Sequence, residues 1–79
     1  MNDDRRTRIR TALALIQQAS QIIQDVWIEE DVAYENVPEN LRGSLRGEQS
    51  QTATADLELA SNAFETLRGH LEAALNSPT

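Results

Sequence analysis

The chain has no cysteine and no lysine. It has one histidine, two prolines, three glycines and three aromatic residues among 79. Without cysteine there is no disulfide framework, no thiolate nucleophile and no thiolate metal site. No apolar run comes near the ~20 residues needed to cross a bilayer. The first residues are polar and charged, which does not read as a secretory signal. A cytoplasmic, bacterial-type protein is therefore expected. Scarce glycine, proline and aromatics leave little material for a β fold.

Positive charge is short and unevenly spread. All seven basic residues are arginine, against thirteen acids. Residues 1–10 hold four arginines and two aspartates, a local charge of +2. Residues 11–79 hold three arginines and eleven acids, a charge of −8. Nucleic-acid binding needs clustered cations facing phosphates, so such an acidic body argues against it. Arg42 and Arg46 flank a turn, but no basic recognition helix follows them. An acidic body suits a basic partner surface or mimicry of nucleic acid, and solubility is the simplest reading of it.

What remains is helical periodicity on both sides of one elbow. Ile9, Ala12, Leu13, Ile16, Ala19, Ile23, Val26 and Trp27 step by three and four, as a buried helix face does. Ala53, Leu57, Ala60, Phe64, Leu67, Leu71 and Ala74 form a strict heptad. Asn2 or Asp3 caps the first helix. Pro38 biases Val37 away from the α region and stops that helix by Asn36. Asn36 then caps a short turn, Pro38 to Leu41, which Gly43 closes in a left-handed conformation. Ser44 caps the second helix. The reading is one all-α domain, residues 1–79. It has a helix over about 3–34, an elbow over about 35–44 and an antiparallel helix over about 45–76.

Two antiparallel helices share one seam and enclose no core. Leu15, Ile22, Ile28 and Leu59 would stay exposed in a single chain. A symmetric dimer forming a four-helix bundle, or a higher oligomer, would bury most of them. The oligomer seam is read as Ile9, Ile16, Ile23, Leu57, Phe64, Leu67 and Leu71. Gly47–Thr54 is polar and lacks an apolar anchor. It either frays or lines a polar cavity opposite Trp27 and the acids that follow it. Gly69 interrupts the second helix and is read as allowing close packing.

The elbow sequence AYENVPENLRGSLRGE, Ala33 to Glu48, resembles small acidic helical-hairpin proteins of bacteria and their phages. The resemblance rests on Tyr34, Glu35, Asn36, Val37, Pro38, Glu39, Asn40, Leu41 and Ser44, about a fifth of the chain. It implies a helical hairpin and a phage or mobile-element origin, and by analogy an inhibitor or adaptor role. It implies no activity.

Catalysis has little support. His70, the lone histidine, sits at the seam's edge without an identifiable partner, and Ser44 lacks a nucleophile-elbow context. Glu29, Glu30, Asp56 and Glu58 do not reproduce the paired acidic motifs of helical pyrophosphatases. Asp25 and Glu29 are four apart but would need further ligands to hold a cation. No metal site and no cofactor are expected. The expectation is a non-enzymatic, homo-oligomeric protein, most simply a dimer, that binds and modulates another protein. Its contact candidates are Trp27, Tyr34, Glu35, Asn36 and Glu39. The alternative is a sponge for a nucleotide signal, with sites formed between subunits. There Arg5, Arg6, Arg8 and Arg10 of one subunit would meet Tyr34, Arg42 and Arg46 of another, because arginine forks and a stacking aromatic suit a nucleotide.

Overall fold

A computed structural model describes every residue except Arg42, Ser44 and Thr79, and also leaves out the side chains of Leu45 and Arg46. The chain is an all-helical hairpin. Helix α1 spans Asp3–Glu35, a single 3-10 turn spans Glu39–Leu41, and helix α2 spans Leu45–Leu75. No described strand is present. Neither helix is long and apolar enough to cross a membrane.

The helix ends follow from local chemistry. Asn2 is extended, and its Oδ1 accepts the Arg5 backbone N–H at 2.8 Å. One of the four N–H groups orphaned at a helix start is thereby satisfied. Asp3 and Asp4 sit at the positive end of the α1 dipole. At the other end Asn36 is the C-cap, with φ −80° and ψ −8°, and its N–H donates to the Val32 carbonyl at 3.0 Å. Asn36 thus ends the first helix instead of opening the turn, because its backbone is still right-handed. Pro38 starts the turn as expected, its carbonyl accepting from the Leu41 N–H at 2.8 Å. Gly43 is corrected too, since no described glycine has a positive φ. The expected Ser44 cap lies outside the described residues.

The Gly47–Thr54 stretch is helical from end to end. Thr52 and Thr54 return their hydroxyls to the carbonyls four residues back, at 3.0 Å each. That bonding satisfies the hydroxyls within the helix, at a slight cost in helix stability. Gly47 itself is buried, near where the two helices part.

The register of the hairpin is fixed at both ends. Arg6 meets Leu75 near the termini, and Glu30 meets Ser50 near the elbow. Facing residues therefore have numbers totalling about 80. On that register Trp27 lies level with Ala53, Ile23 with Leu57, Ile16 with Phe64 and Ile9 with Leu71. Each pair combines members of the expected seams, and all eight are half-buried. At mid-length the facing residues are small: Ala19 and Ser20 against Ala60 and Ser61. Ser61 is the buried polar side chain here, and its hydroxyl has no hydrogen-bond partner among the described residues.

One feature of the seam differs from the heptad pattern. Val26 and Leu67 belong to the expected stripes, yet they are 40% and 44% exposed. Ser20, Ser61 and Arg68, each one position further on, are more covered. The seam between the helices is thus rotated away from the centre of the apolar arc. No described apolar residue is fully buried. The molecule is a rod of 59 × 16 × 13 Å with a radius of gyration of 17.8 Å. A compact domain of this length would have about 12 Å.

Gly69 stands exposed within α2, and a Cβ built there meets nothing within 4 Å. It does not serve close packing between the two helices. Gly69→Ala is expected to stabilise by about 1 kcal/mol, by helix propensity and by restricting the unfolded chain. A thermal melt checks this, with a rise of roughly 4–8 °C expected. A fall would mean that another chain packs against that position.

Candidate functional site

Three surfaces carry chemistry, and each is built by helix periodicity. The first is one long face of the hairpin. Leu15 and Ile22 each precede a seam residue, Ile16 and Ile23, so they stand about 100° to one side of the seam on α1. Ala63 precedes Phe64 in the same way on α2. In an antiparallel pair of right-handed helices these two shoulders lie on the same face of the hairpin. Val26, Ala60 and Leu67 lie between the shoulders and the seam. Leu15 and Ile22 are 59% and 62% exposed. A shallow cleft among Ala60, Ala63, Phe64 and Leu67 marks the α2 half.

The opposite face is polar. It carries Gln17 and Gln24 on α1, and Glu58, Glu65 and Glu72 on α2. Arg68 bridges two of these carboxylates, with Glu65 at 2.6 Å and Glu72 at 3.3 Å. Its hydrogen bond with Glu65, then the charges of Glu65 and Glu72, raise the guanidinium pKa further above its ordinary value. Ile28 and Leu59 are exposed apolar residues away from the seam.

The second surface is the terminal end. Arg6 is half-buried and spends its guanidinium on backbone carbonyls. Nη1 donates to the Leu75 carbonyl, Nη2 to that of Ser77 at 3.3 Å, and Nε to that of Met1 at 3.3 Å. Two of these acceptors lie at the negative end of α2, where carbonyls lack intrahelical partners. Arg6 therefore ties both termini together. Arg6→Gln is expected to cost about 1–3 kcal/mol and to raise amide exchange across residues 73–77. Unchanged exchange there would contradict the tie.

Arg5 and Arg8 remain at the surface. With Met1, Ile9, Ala12 and Ser77 they line an open groove of about 520 Å³. Arg8 is held by Asp4 of its own helix at 3.0 Å, both side chains being well exposed. Arg10 is exposed and does not line the groove.

The third surface is the elbow end. Ser50 Oγ donates to Glu30 Oε1 at 2.6 Å, and both are half-buried. Glu30, Ala33, Val37, Gln49 and Ser50 line a cleft of about 300 Å³. This cleft lies beside the acidic stretch but is not the polar cavity expected opposite Trp27, since Ala33 and Val37 line it and Trp27 does not. Trp27 is half-buried in the seam, and Tyr34 is half-buried one helical turn before Pro38. Glu35, Asn36 and Glu39 are exposed. Asp25 accepts from Gln21 Nε2 at 3.1 Å. Among the described residues no group of three or more His, Asp or Glu side chains is placed to hold a metal ion.

Within one chain the hairpin separates the residues named for nucleotide binding. Arg5, Arg6, Arg8 and Arg10 are at the terminal end, and Tyr34 is at the elbow. Arg42 and the Arg46 side chain lie outside the described residues. The Glu30–Ser50 pair was missed by a reading centred on apolar residues, although a signal existed. Glu30 continues the series Ile9, Ile16, Ile23, and Ser50 precedes Leu57, Phe64 and Leu71 at the same spacing of seven. Seam positions continue past the point where their apolar occupants stop. No protein-family model, curated protein or solved structure matches the chain.

Proposed function

We propose that this chain is a non-catalytic, homo-oligomeric binding protein. Its hairpins pair through the apolar face to form a four-helix bundle, and its acidic elbow contacts another protein. The exposure of Leu15 and Ile22 on an otherwise amphipathic rod carries the first half of the proposal. The charge distribution supports the second. Glu29, Asp31, Glu35, Glu39 and Glu48 are exposed around the elbow end, which suits a partner with a basic surface. The chain and its Glu35→Gln, Glu39→Gln double variant are immobilised side by side, and retained proteins are compared. A partner held by the parent and lost from the variant is then titrated with purified components by calorimetry. At least tenfold weaker binding to the variant is expected at low salt. Equal binding would remove the elbow from the interface.

The Arg5–Arg8 groove favours a second reading, the capture of a phosphorylated small molecule. Arg5 and Arg8 line the groove together with the apolar Ile9 and Ala12. Reversed packing of two hairpins would bring an elbow with Tyr34 beside that groove. A nucleotide that raises the melting temperature of the parent, but not of an Arg5→Ala variant, would select this reading. No shift with mono-, di- or cyclic dinucleotides would discard it.

A further inference from the structure

The exposed shoulder of α1 carries its own complement. Arg8, Leu15, Ile22 and Glu29 stand seven residues apart along it. Reversed end for end, the stripe matches itself, with cation meeting anion and leucine meeting isoleucine. We propose that two copies of the chain pack apolar face to apolar face in reversed orientation. Their two-fold axis passes α1 between Gln18 and Ala19, and Arg8 of each copy faces Glu29 of the other. This rests on the oligomer reading above and adds its geometry.

Two observations support this arrangement over one with both elbows at the same end, and a third supports the pairing itself. The first is register. About that axis Leu15 of one copy lies against Ile22 of the other, and the axis falls at the middle of the hairpin. In the same-end arrangement α1 lies over α2 of the second copy. There the nearest residue on the α2 shoulder is Asp56 for Ile22, His70 for Arg8 and Gln49 for Glu29, so neither Arg8 nor Glu29 meets an opposite charge on that shoulder.

The second is net charge. The elbow half, residues 17–63, holds nine acids and two arginines, a charge of −7. The terminal half holds five arginines and four acids, a charge of +1. Same-end packing stacks −7 on −7, whereas reversed packing lays each acidic half over the other copy's basic one. Like-charge juxtaposition disfavours the former.

The third is area. The chain exposes 5851 Å², whereas a folded monomer of its mass exposes about 4,800 Å². The excess, about 1,000 Å², covers the roughly 800 Å² that each partner gives up in a stable interface. Arg8 is not withdrawn from Asp4 by this arrangement. An exposed guanidinium with five donors serves both carboxylates.

Charge reversal tests the orientation. The parent, Arg8→Glu, Glu29→Arg and the double variant are compared by sedimentation velocity at low ionic strength. Each single variant is expected to dimerise roughly tenfold more weakly, since two symmetric pairs turn repulsive at once. The double variant is expected to recover to within about threefold of the parent. Dimers indifferent to the single changes, or without recovery, would overturn the reversed orientation and leave oligomerisation standing. A monomeric parent would overturn both. A second measurement does not depend on those side chains. Because the chain has no cysteine, Ala19→Cys introduces a single thiol beside the axis. Under mild copper–phenanthroline oxidation the reversed dimer gives a covalent dimer. The same-end dimer, with Ala19 level with Ser61 of the other copy, gives none.

Discussion

A Leu15→Asp chain is expected to sediment at the mass of one hairpin where the parent runs as a dimer. In an isolated hairpin the change would be almost silent. Leu15 is largely exposed there, and exposed substitutions usually stay within about 0.5 kcal/mol. In the paired hairpins the same change acts twice. It removes two leucines from apolar contact, each worth about 1.5–3 kcal/mol, and sets two carboxylates against Ile22 of the opposite copy. The dissociation constant should rise by at least about a thousandfold. Ile22→Asp should do the same, and Ile28→Asp, on the polar side, should not. An unchanged mass for Leu15→Asp would show that the face is not the contact.

Ile16→Asp, one residue along, is expected to abolish the fold itself. Ile16 faces Phe64 across the seam at the terminal half of the rod, and both are half-buried. The change forfeits about 2 kcal/mol of apolar burial and leaves a carboxylate without a partner between the helices. A rod with no fully buried apolar residue among those described has little stability to lose. Circular dichroism at 37 °C should show most of the helicity gone at any protein concentration. Leu15→Asp should instead retain whatever helicity the single hairpin supports. Retention of native helicity and mass by Ile16→Asp would refute the seam. The contrast between adjacent positions is the informative part, since composition and helix propensity are nearly the same in both variants.

The two long helices and their ends are legible in the sequence because local signals agree. Asn2 caps, Pro38 breaks, and between them the apolar three-four spacing runs from Ile9 to Trp27. The pairing of Ile9, Ile16 and Ile23 with Leu71, Phe64 and Leu57 follows from equal helix lengths. The rotation of the seam does not follow. The apolar arc marks every apolar contact a helix makes, so a stripe centred on Val26 and Leu67 does not say which neighbour covers which edge. Arg6 escaped for a different reason. Its acceptors are backbone carbonyls at the end of α2, and carbonyls leave no mark on residue type. Asn36 marks the boundary of α1 from sequence, but its role there does not follow, since asparagine serves at either end of a helix. The terminal groove gathered Arg5 and Arg8 from the four arginines there, because residues three apart share a helix face.

The most direct measurement is the mass of the unaltered chain in solution across a hundredfold range of concentration, by sedimentation velocity, with melting temperature followed over the same range. If a second copy covers Leu15, Ile22 and Leu67, the chain runs at twice its mass or more. Dilution then lowers the melting temperature, because association stabilises by mass action. A single-hairpin mass with a melting temperature independent of concentration would contradict the claim, and would leave that face without a second copy.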